Sequence, residues 1–345
     1  MKNLIATIIL SSYLSIFSNA LLATEQPIAI AIHGGAGTIS KASMTPSKRK
    51  AYEKKLKEAL NAGYLLLEQG QSSEQAIIAA IQIMEASPLF NAGKGAVYTY
   101  EGEHELDASI MDGETLNAGA VSGVKTVKSP IALAQKVMNE SVHVMLSGEG
   151  AEVFAKEHKL AFVDNSYFDT KHRYKQLKKA KKVLKNKEAE LKSFKAAHQA
   201  LDDNFKFGTV GAVALDKQGN LFAGTSTGGM TAKRYGRIGD APIIGAGTYA
   251  NNESCAVSGT GHGEYFIRYH VAADICARVQ YQNISLIEAA DTVVNKVLVD
   301  AGGTGGIIAI DKQGNITMPF NTSGMYRASK SSSTSSYVAI FKDED

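Results

Sequence analysis

A threonine follows a glycine where a lysine-rich stretch gives way to an apolar segment, FKFGTVGAVALDKQGN. The hydroxyl of Thr209 is a poor nucleophile at neutral pH and needs a base beside it. Cleavage of the Gly208–Thr209 bond would provide one, because the new α-amino group has a reference pKa of about 7.7 to 8.0. Gly208 carries no side chain to obstruct attack by the Thr209 hydroxyl on the preceding carbonyl. The pair therefore predicts a self-generated N-terminal nucleophile, although threonine is also common at the start of a strand.

Three polar, glycine-rich segments follow Thr209: TSTGGM from Thr225, GRIGDAP from Gly236 and VSGTGHGE from Val257. Each one alone is typical of a turn, a loop ion pair or a strand-to-helix junction. Together they supply hydroxyl groups, an arginine that can bind a carboxylate, a carboxylate that can bind an ammonium group, and backbone N–H groups for an oxyanion. The set indicates acyl transfer on a substrate that carries both charges.

Apolar strands and capped helices must position these residues. An extended strand, Ile28 to Ile32, runs into the glycine-rich turn HGGAG. Helices are predicted after four start signals: Thr45 with Pro46, Ser72 or Ser73, Ser129 with Pro130, and Ser285 with Glu288. Gly70 is expected to end the first helix.

Two segments repeat one design, VGAVALDKQGNLFAG and GGIIAIDKQGNITMP. Each places an apolar strand, the turn DKQGN and a second strand in succession, which predicts a hairpin and an at least partly antiparallel sheet. Helices cluster before and after the runs of strands. The expected fold class is therefore α/β (α+β), with helices covering two sheets in a four-layer αββα sandwich.

The segment from Asn165 to Phe207 is rich in lysine and contains neither glycine nor proline. It is expected to be a surface helix or a mobile linker. Its charge is typical of a solvated face rather than of a functional basic patch. An exposed strip is thus predicted directly upstream of Gly208.

Composition is that of an ordinary globular protein of 345 residues, 44% hydrophobic and 21% charged. The net charge of +3 gives no ground for a nucleic-acid or membrane-surface role. Cys255 and Cys276 could pair in an oxidising compartment. Two separate buried cysteines are expected instead, because Cys276 lies among apolar residues of a helical pattern.

The first residues are typical of a cleaved export signal: Lys2 precedes an apolar run, and small residues follow at Ser18, Ala20 and Ala23. The run is shorter than the ~20 residues that cross a bilayer. We expect a signal at residues 1–23, with cleavage after Ala20 or Ala23, and export to a bacterial periplasm. A buried N-terminal strand or helix is the alternative.

Other patterns indicate no further chemistry. His33 in HGGAG has no partner at metal-ligand spacing and is expected to be packed or hydrogen-bonded. GGTGG and GTGHG lack the lysine and spacing of a phosphate loop. Asp107 and Asp112 are interpreted as structural, because no aromatic platform accompanies them as in a glycosidase.

Several segments in order resemble the plant-type L-asparaginase/isoaspartyl peptidase family of N-terminal-nucleophile (Ntn) hydrolases: GTVGAVALD, TSTGGM, GRIGDAP, GAGTYANN, SGTGHGE and PFNTSGMYRA. The upstream segments IAIHGGAG, PLFNAGKGAVYT, HELDASIMDG and NAGAVSGV match as well. The similarity therefore covers nearly everything after the signal. It implies one Ntn-hydrolase domain, residues 24–345, with the four-layer αββα fold.

The resemblance also implies autocleavage between Gly208 and Thr209. The products would be an α subunit, residues 24–208, and a β subunit, residues 209–345. The lysine-rich strip corresponds to the variable linker at the end of the α subunit, at about 166–207.

Catalytic roles follow from the same resemblance. Thr209 would be the nucleophile and, after cleavage, its amine the base. Thr227 would lie within hydrogen-bonding reach and polarise the nucleophile. Thr260 and the Gly261 N–H would form the oxyanion hole.

The resemblance assigns binding roles too. Arg237 would bind the substrate's α-carboxylate and Asp240 its α-ammonium group, beside Thr260 and Gly261. Asn91 joins this set and would support the nucleophile region. No cofactor is implied for the chemistry. A structural sodium ion would be held by the backbone carbonyls of Met84, Glu85, Ser87, Phe90, Ala92 and Lys94.

The implied activity is hydrolysis of β-aspartyl (isoaspartyl) dipeptides and of L-asparagine to L-aspartate, by a dimer of cleaved αβ heterodimers with no nucleic-acid or membrane partner. Two alternatives stay open. A glycosylasparaginase performs the same chemistry on asparagine that bears a glycan. An uncleaved periplasmic binding protein would capture acidic amino acids with Arg237 and Asp240.

Overall fold

The computed structural model describes residues 26–187 and 208–344. The predicted export signal, residues 1–23, lies outside the described residues, as does the later part of the lysine-rich segment, residues 188–207. Among the described helices, none has the length and apolar character of a membrane span.

The described strands form two sheets. In chain order the strands are β1 Ala29–Gly37, β2 Leu106–Asp112, β3 Ala118–Val124, β4 Met145–Ser147, β5 Val210–Leu215, β6 Leu221–Thr227, β7 Thr248–Ala250, β8 Cys255–Gly261, β9 Gly305–Asp311, β10 Ile316–Thr317, β11 Gly324–Ser331 and β12 Tyr337–Ala339. The large sheet has the order β12-β11-β1-β5-β6-β2-β3-β4, and the small sheet has the order β10-β9-β8-β7. Neighbouring strands pair antiparallel except β3 and β4, which are parallel.

Helices lie before, between and after these strands. In chain order they are α1 Pro46–Glu68, α2 Ser73–Glu85, α3 Pro130–Glu140, α4 Gly148–Glu157, α5 Lys171–Lys187, α6 Gly263–Arg268, α7 Val271–Gln282, α8 Leu286–Thr292 and α9 Leu298–Ala301, with a π-helical turn at Val293–Val297. Short 3-10 turns occur at Lys41–Ser43, Gly93–Gly95, Asn165–Phe168 and Lys342–Glu344.

Three apolar cores separate four layers. The helices α1, α2 and α3 cover the outer face of the large sheet. The two sheets meet face to face through residues such as Val213, Leu221, Ile308 and Met325. On the far side, α7 and α8 cover the small sheet. The predicted αββα sandwich is confirmed, because each sheet buries one face against helices and the other against its partner.

Helix start signals in the sequence match the structure. Thr45 caps α1 by accepting from the Lys48 N–H at 3.2 Å, and Pro46 is the first helical residue. Ser72 forms a capping box with Gln75 at the start of α2. Ser285 accepts from the Glu288 N–H at 3.2 Å, which is one half of the predicted capping box. These caps satisfy N–H groups that the first helical turn leaves without a carbonyl partner.

Both DKQGN segments form hairpin turns, as predicted: β5 pairs with β6, and β9 pairs with β10. In each turn the aspartate side chain accepts backbone N–H groups, Asp216 from Asn220 at 3.0 Å and Asp311 from Asn315 at 2.9 Å. The glycine of each turn has a positive φ, which explains its place there.

The described part of the lysine-rich segment is helical. Within α5, Leu177 and Ala180 are buried, and the buried Arg173 donates from Nε to the Gly95 carbonyl at 2.7 Å. Residues 171–187 therefore form a surface helix, the first of the two predicted alternatives, with one face packed against the protein and the other exposed to solvent. The cleavage-linker assignment for residues 188–207 lies outside the described residues.

A disulfide joins Cys255, at the start of β8, to Cys276 on α7, with Cα atoms 5.4 Å apart. The expectation of two separate buried cysteines is wrong. Packing of α7 on the small sheet brings together residues that are 21 positions apart. Apolar periodicity placed Cys276 on a buried helix face but gave no information on which strand that face covers.

Candidate active site

Thr209 precedes β5, and Thr227 ends β6. These strands are antiparallel neighbours with Val210 opposite Ser226, so the hairpin sets the two threonines side by side. The Thr209 Oγ1 lies 3.2 Å from the Thr227 Oγ1, and both residues are buried. Thr227 also accepts from the Gly229 N–H at 3.0 Å. Its oxygen is therefore held as an acceptor for the Thr209 hydroxyl hydrogen.

His33 on β1 lies next to the main chain of Thr209. Its Nδ1 is 2.9 Å from the Thr209 carbonyl oxygen, and its Nε2 is 3.0 Å from the Ser258 Oγ. Burial lowers the pKa of His33 to about 3, so the ring is neutral at physiological pH. A carbonyl can only accept, so Nδ1 carries the hydrogen and Nε2 accepts from Ser258.

The prediction that His33 is packed or hydrogen-bonded is confirmed. Within the part of the chain that the structure describes, no group of three or more His, Cys, Asp and Glu side chains could hold a metal ion.

The glycine-rich end of β1 runs along the Gly208–Thr209 bond. A β-carbon on Gly35 would lie 2.6 Å from the Gly208 Cα, and Gly35 has a φ of +109°. The next residue, Ala36, donates its N–H to the Thr260 Oγ1 at 3.2 Å. The sequence interpretation treated HGGAG as a turn and missed these contacts. The signal available was two adjacent glycines after a buried strand, which mark close backbone approach.

Thr260 and Gly261 end β8 beside this segment. The Thr260 oxygen accepts from the Ala36 N–H, and its hydroxyl group can still donate its hydrogen. A β-carbon on Gly261 would lie 2.4 Å from the Thr304 carbonyl oxygen, so no larger residue fits there. The structure thus places both predicted oxyanion residues, Thr260 and Gly261, at one strand end.

Arg237 pairs with Glu264, a contact that sequence reasoning missed. The Nε of Arg237 lies 3.0 Å from one carboxylate oxygen of Glu264, and its Nη2 lies 2.9 Å from the other. Burial opposes ionisation of Glu264, but hydrogen bonds and charge from Arg237 lower its pKa to about 2. Two parallel bonds of this kind fix the plane of a guanidinium group. Nη1 is left for another acceptor.

Asp240 lies close to Arg237, with Gly263 between them. A β-carbon on Gly263 would lie 2.9 Å from the Arg237 Nη2 and 2.9 Å from the Asp240 Oδ1. The Asp240 Oδ2 is buried and has no hydrogen-bond partner among the described residues. Burial raises the pKa of Asp240 to about 7, although the charge of Arg237 opposes the rise. A buried carboxylate that lacks a donor is suited to an ammonium group.

A cavity of about 400 Å³ opens beside this pair and is lined by Arg237, Glu264, Met230 and Tyr235 among others. Opposite charges on either side of a glycine match the α-carboxylate and α-ammonium groups of an amino acid. Thr209 and Thr227 lie at neighbouring ends of β5 and β6, and Thr260 lies at the end of β8. Gly263, which follows β8, contacts both Arg237 and Asp240.

A family model described as Asparaginase matches residues 25–340. The chain belongs to the Asparaginase family.

Several relatives are similar in sequence to this chain over most of its length. It is 50% identical to the "Isoaspartyl peptidase" of Salmonella typhimurium over 299 residues, which are 87% of this chain and 94% of the relative. It is also 50% identical to the "Isoaspartyl peptidase" of Escherichia coli over 303 residues, 87% of this chain and 91% of the relative. It is 39% identical to the "Probable isoaspartyl peptidase/L-asparaginase 2" of Arabidopsis thaliana over 327 residues, 91% and 99% of the two chains.

In this member of the Asparaginase family, Asn91 holds the loop that follows Thr227. Its Nδ2 donates to the Gly229 carbonyl at 2.7 Å, and its Oδ1 accepts from the Val97 N–H at 2.9 Å. Its backbone carbonyl accepts from the Gly228 N–H at 3.0 Å. Both ends of the amide are occupied by main chain, which places Asn91 as a support of the nucleophile region.

Two main-chain carbonyls near Asn91 lie close to glycine positions. Glu85 O would lie 2.3 Å from a β-carbon on Gly93, and Phe90 O would lie 2.0 Å from one on Gly95. Glycine at these positions leaves both oxygens uncovered by a side chain, and carbonyl oxygens are ligands that a hard cation takes.

The side chain of Glu85 connects this loop to the nucleophile hairpin. It accepts from the Ser226 Oγ at 2.6 Å, from the Ser129 Oγ at 2.6 Å and from the Ile131 N–H at 3.0 Å. Burial raises the pKa of Glu85 to about 7, although these three hydrogen bonds oppose the rise. Ser226 directly precedes Thr227. The sequence interpretation assigned Glu85 a backbone role and did not predict this side-chain contact.

Proposed function

We propose that the chain hydrolyses β-aspartyl dipeptides and L-asparagine to L-aspartate through a β-aspartyl ester on Thr209. The observation that carries the proposal is the Thr209–Thr227 pair, at 3.2 Å between hydroxyl oxygens, in one site with the Arg237–Asp240 clamp. Relatives named isoaspartyl peptidase that are 50% identical support the same activity for this chain.

The first step is self-cleavage. The Thr209 hydroxyl attacks the Gly208 carbonyl carbon, and the amide nitrogen of Thr209 takes up a proton and leaves as the new α-amine. Water then hydrolyses the resulting ester and releases the Gly208 carboxylate. Support comes from the buried position of Thr209, the acceptor role of Thr227 and the close packing of Gly35 against Gly208.

Acylation follows on the cleaved enzyme. The Thr209 amine accepts the hydroxyl proton as the oxygen attacks the side-chain carbonyl of the substrate. Thr260 and the Gly261 N–H stabilise the oxyanion. The protonated amine then gives its proton to the leaving group, which is ammonia from asparagine or an amino acid from a dipeptide. In deacylation, water repeats the attack with the same proton transfers and releases L-aspartate.

The clamp selects the aspartyl part of the substrate. Glu264 occupies the Nε and Nη2 of Arg237, so Nη1 is directed to the substrate's α-carboxylate. Asp240 receives the α-ammonium group in place of the hydrogen-bond donor that its Oδ2 lacks. Both charges of the substrate are then paired, as burial of charge requires.

A denaturing gel and a two-substrate assay test this proposal. Purified protein should separate into fragments that correspond to residues ending at Gly208 and beginning at Thr209, confirmed by intact mass. β-Aspartyl-leucine and asparagine should both be hydrolysed, and asparagine that bears a glycan should not. A single intact chain that binds acidic amino acids without turnover would refute the proposal in favour of a binding protein. Turnover of the glycosylated substrate alone would instead identify a glycosylasparaginase.

We also propose a structural sodium ion in the loop before Asn91, held by the backbone carbonyls of Met84, Glu85, Ser87, Phe90, Ala92 and Lys94. The carbonyls of Glu85 and Phe90, which lie next to Gly93 and Gly95 and are not covered by a side chain there, support this site. The ion would brace the loop and supply no chemistry. Thermal unfolding in sodium and in a large organic cation should differ, with the higher midpoint in sodium.

Export to the periplasm is the proposed location. The Cys255–Cys276 disulfide supports it, because disulfides persist in oxidising compartments and are rare in the cytosol. Fractionation of expressing cells, with the mature N-terminus determined by mass spectrometry, tests the location and the cleavage after Ala20 or Ala23.

For assembly we propose a dimer of cleaved αβ heterodimers. The edge strand β4 supports a self-association surface, since Val144 and Met145 are partly exposed there and Val142 next to it is 95% exposed. Apolar edge strands are usually covered in stable proteins. Light scattering on the cleaved enzyme should give twice the mass of one αβ unit.

A further inference from the structure

A chain of polar side chains crosses the interior between the two sheets, where the other buried residues are mainly apolar. All five members are completely buried. They alternate between the sheets: His33, Thr225 and Ser109 lie on β1, β6 and β2 of the large sheet, and Ser258 and Thr248 lie on β8 and β7 of the small sheet.

Successive members are within hydrogen-bonding distance. The His33 Nε2 is 3.0 Å from the Ser258 Oγ, which is 2.7 Å from the Thr225 Oγ1. The Thr225 Oγ1 is 2.6 Å from the Thr248 Oγ1. The Thr248 Oγ1 is 2.7 Å from the Ser109 Oγ. We call these five residues the hydroxyl chain.

Each end of the hydroxyl chain meets a main-chain carbonyl of the proposed site. The His33 Nδ1 is 2.9 Å from the carbonyl oxygen of Thr209. At the other end, the Ser109 Oγ is 2.6 Å from the carbonyl oxygen of Ala241, the residue after Asp240. The hydroxyl chain thus connects the main chain of the nucleophile to the loop that carries the ammonium clamp.

A count of hydrogens shows that the hydroxyl chain is not optimal for stability. Six contacts run from Thr209 to Ala241. A neutral imidazole and four hydroxyl groups supply one hydrogen each, and the carbonyls supply none. Two side contacts compete for the same hydrogens, from the Thr225 Oγ1 to the Gly247 carbonyl and from the Ser258 Oγ to the Gly224 carbonyl, both at 3.2 Å. Five hydrogens cannot fill these eight contacts, so some pairs of acceptors face each other without a hydrogen between them. Unsatisfied buried polar contacts cost stability.

We propose that the hydroxyl chain is a positioning device, which fixes the Thr209 main chain relative to the Asp240–Ala241 loop while substrate is bound. This inference rests on the proposed function, in which Thr209 and Asp240 act on the same substrate molecule. The nucleophile belongs to the large sheet, whereas the clamp loop leads into β7 of the small sheet. A direct hydrogen-bonded link between the sheets fixes the position of the attacking Thr209 oxygen relative to the carbonyl carbon of the bound substrate. A misplacement of about 1 Å can cost on the order of 100-fold in rate.

Thr248→Val tests the inference, because valine has nearly the same shape and removes the central hydroxyl. The variant loses one hydrogen and the two contacts of the Thr248 hydroxyl, so four hydrogens remain for six contacts instead of five for eight. We expect kcat for β-aspartyl-leucine, per cleaved enzyme, to fall about tenfold or more. KM should stay close to that of the wild type, because the clamp itself is intact. The thermal midpoint should not fall, because the variant has fewer buried contacts without a hydrogen than the wild type.

Two further variants complete the experiment. Thr248→Ser keeps the hydroxyl and should recover most of kcat. Ser122→Ala is the matched control, because Ser122 is a buried hydroxyl on β3 outside the hydroxyl chain, and its Oγ has no hydrogen-bond partner among the described residues. Its kcat should equal that of the wild type.

The outcomes separate the inference from the proposed function. An active wild type whose Thr248→Val variant keeps full kcat refutes the positioning role alone. The same holds if Thr248→Ser loses as much kcat as Thr248→Val, or if the loss in Thr248→Val comes with a lower thermal midpoint, which would indicate a merely structural role. A wild type that is cleaved but hydrolyses neither substrate refutes the proposed function, and the positioning role with it.

Discussion

Gly35 packs against Gly208 so closely that a β-carbon on Gly35 would lie 2.6 Å from the Gly208 Cα. This contact joins the strand β1 to the residue whose carbonyl must be attacked in self-cleavage. A side chain at position 35 would have to displace Gly208 or Thr209, because backbone atoms of both residues would lie within 3.2 Å of its β-carbon.

Gly35→Ala is therefore expected to slow or abolish self-cleavage. Gly102→Ala is the matched control, since Gly102 has a φ of +103°, close to the +109° of Gly35, but a β-carbon there would meet nothing within 4 Å. Backbone strain is thus similar in both variants, and only Gly35→Ala disturbs the scissile bond. The measure is the fraction of intact chain on a denaturing gel over time. Equal cleavage in both variants would contradict the prediction.

Thr260→Ala should fold and cleave but be nearly inactive. It removes the hydroxyl group, next to Ala36, that donates to the oxyanion in the proposed mechanism, and loss of one such donor costs about 2.7 to 4 kcal/mol of barrier, or 10²- to 10³-fold in kcat. The measurement is kcat on β-aspartyl-leucine after the fragments have been verified by mass. Thr260→Ser, which keeps the hydroxyl, should retain most of the activity. Full turnover by the alanine variant would remove Thr260 from the oxyanion hole.

The pH dependence of kcat/KM should reveal the ionisation of Asp240. Burial raises its pKa to about 7, and the ammonium group of the substrate needs the ionised form. In the free enzyme, kcat/KM should therefore rise as pH increases through about 7, with a further rise from the Thr209 amine near its reference pKa of about 7.7 to 8.0. Bound substrate keeps Asp240 ionised, so the pH dependence of kcat should follow the ionisation of the Thr209 amine alone.

Asp240→Asn supplies the control for this assignment. The variant should lose most substrate affinity, and the rise near pH 7 should disappear from its kcat/KM profile. A wild-type profile that falls between about pH 6 and pH 8 would contradict the roles of both groups.

Local signals in the sequence predicted much of this architecture. Caps at Thr45 and Ser72, and the two DKQGN turns, depend on residues close together in the chain, and each was found where expected. The proximity of Thr209 and Thr227 also follows locally, because one hairpin joins them.

Contacts between distant segments could not be derived in the same way. His33 and Thr209 are 176 positions apart and meet because β1 pairs with β5 in the large sheet. The order of strands within a sheet is not encoded in the periodicity of any single strand. The Cys255–Cys276 pairing and the Arg237–Glu264 pair were missed because each depends on how a helix packs against a strand or a loop, which the pattern of neither segment encodes.

Glu85 should make stability depend on pH. Burial raises the pKa of Glu85 in the folded state to about 7, from its usual value of 4.5. Between these values the folded state holds a proton that the unfolded state has released, so stability falls as pH rises through this range. Glu85→Gln removes the titration while it keeps an acceptor for Ser226 and Ile131. The drop in thermal midpoint from about pH 5 to about pH 8 should be smaller in the variant than in the wild type. Identical drops would show that Glu85 does not titrate in this range.

The Cys255–Cys276 disulfide should stabilise the β8–α7 unit that carries the oxyanion residues. It closes a loop with a separation of 21 residues, for which the chain-entropy model gives a stabilisation of about 3 kcal/mol. The Cys255→Ala/Cys276→Ala variant should unfold at a lower temperature than the wild type, and reductant should lower the midpoint of the wild type but leave the variant unchanged. Both cysteines follow Thr209 in the chain, so the bond lies within one cleavage fragment. The two fragments should therefore separate on a denaturing gel without reductant. Fragments that separate only after reduction would contradict this pairing, and a midpoint insensitive to reductant would contradict its contribution to stability.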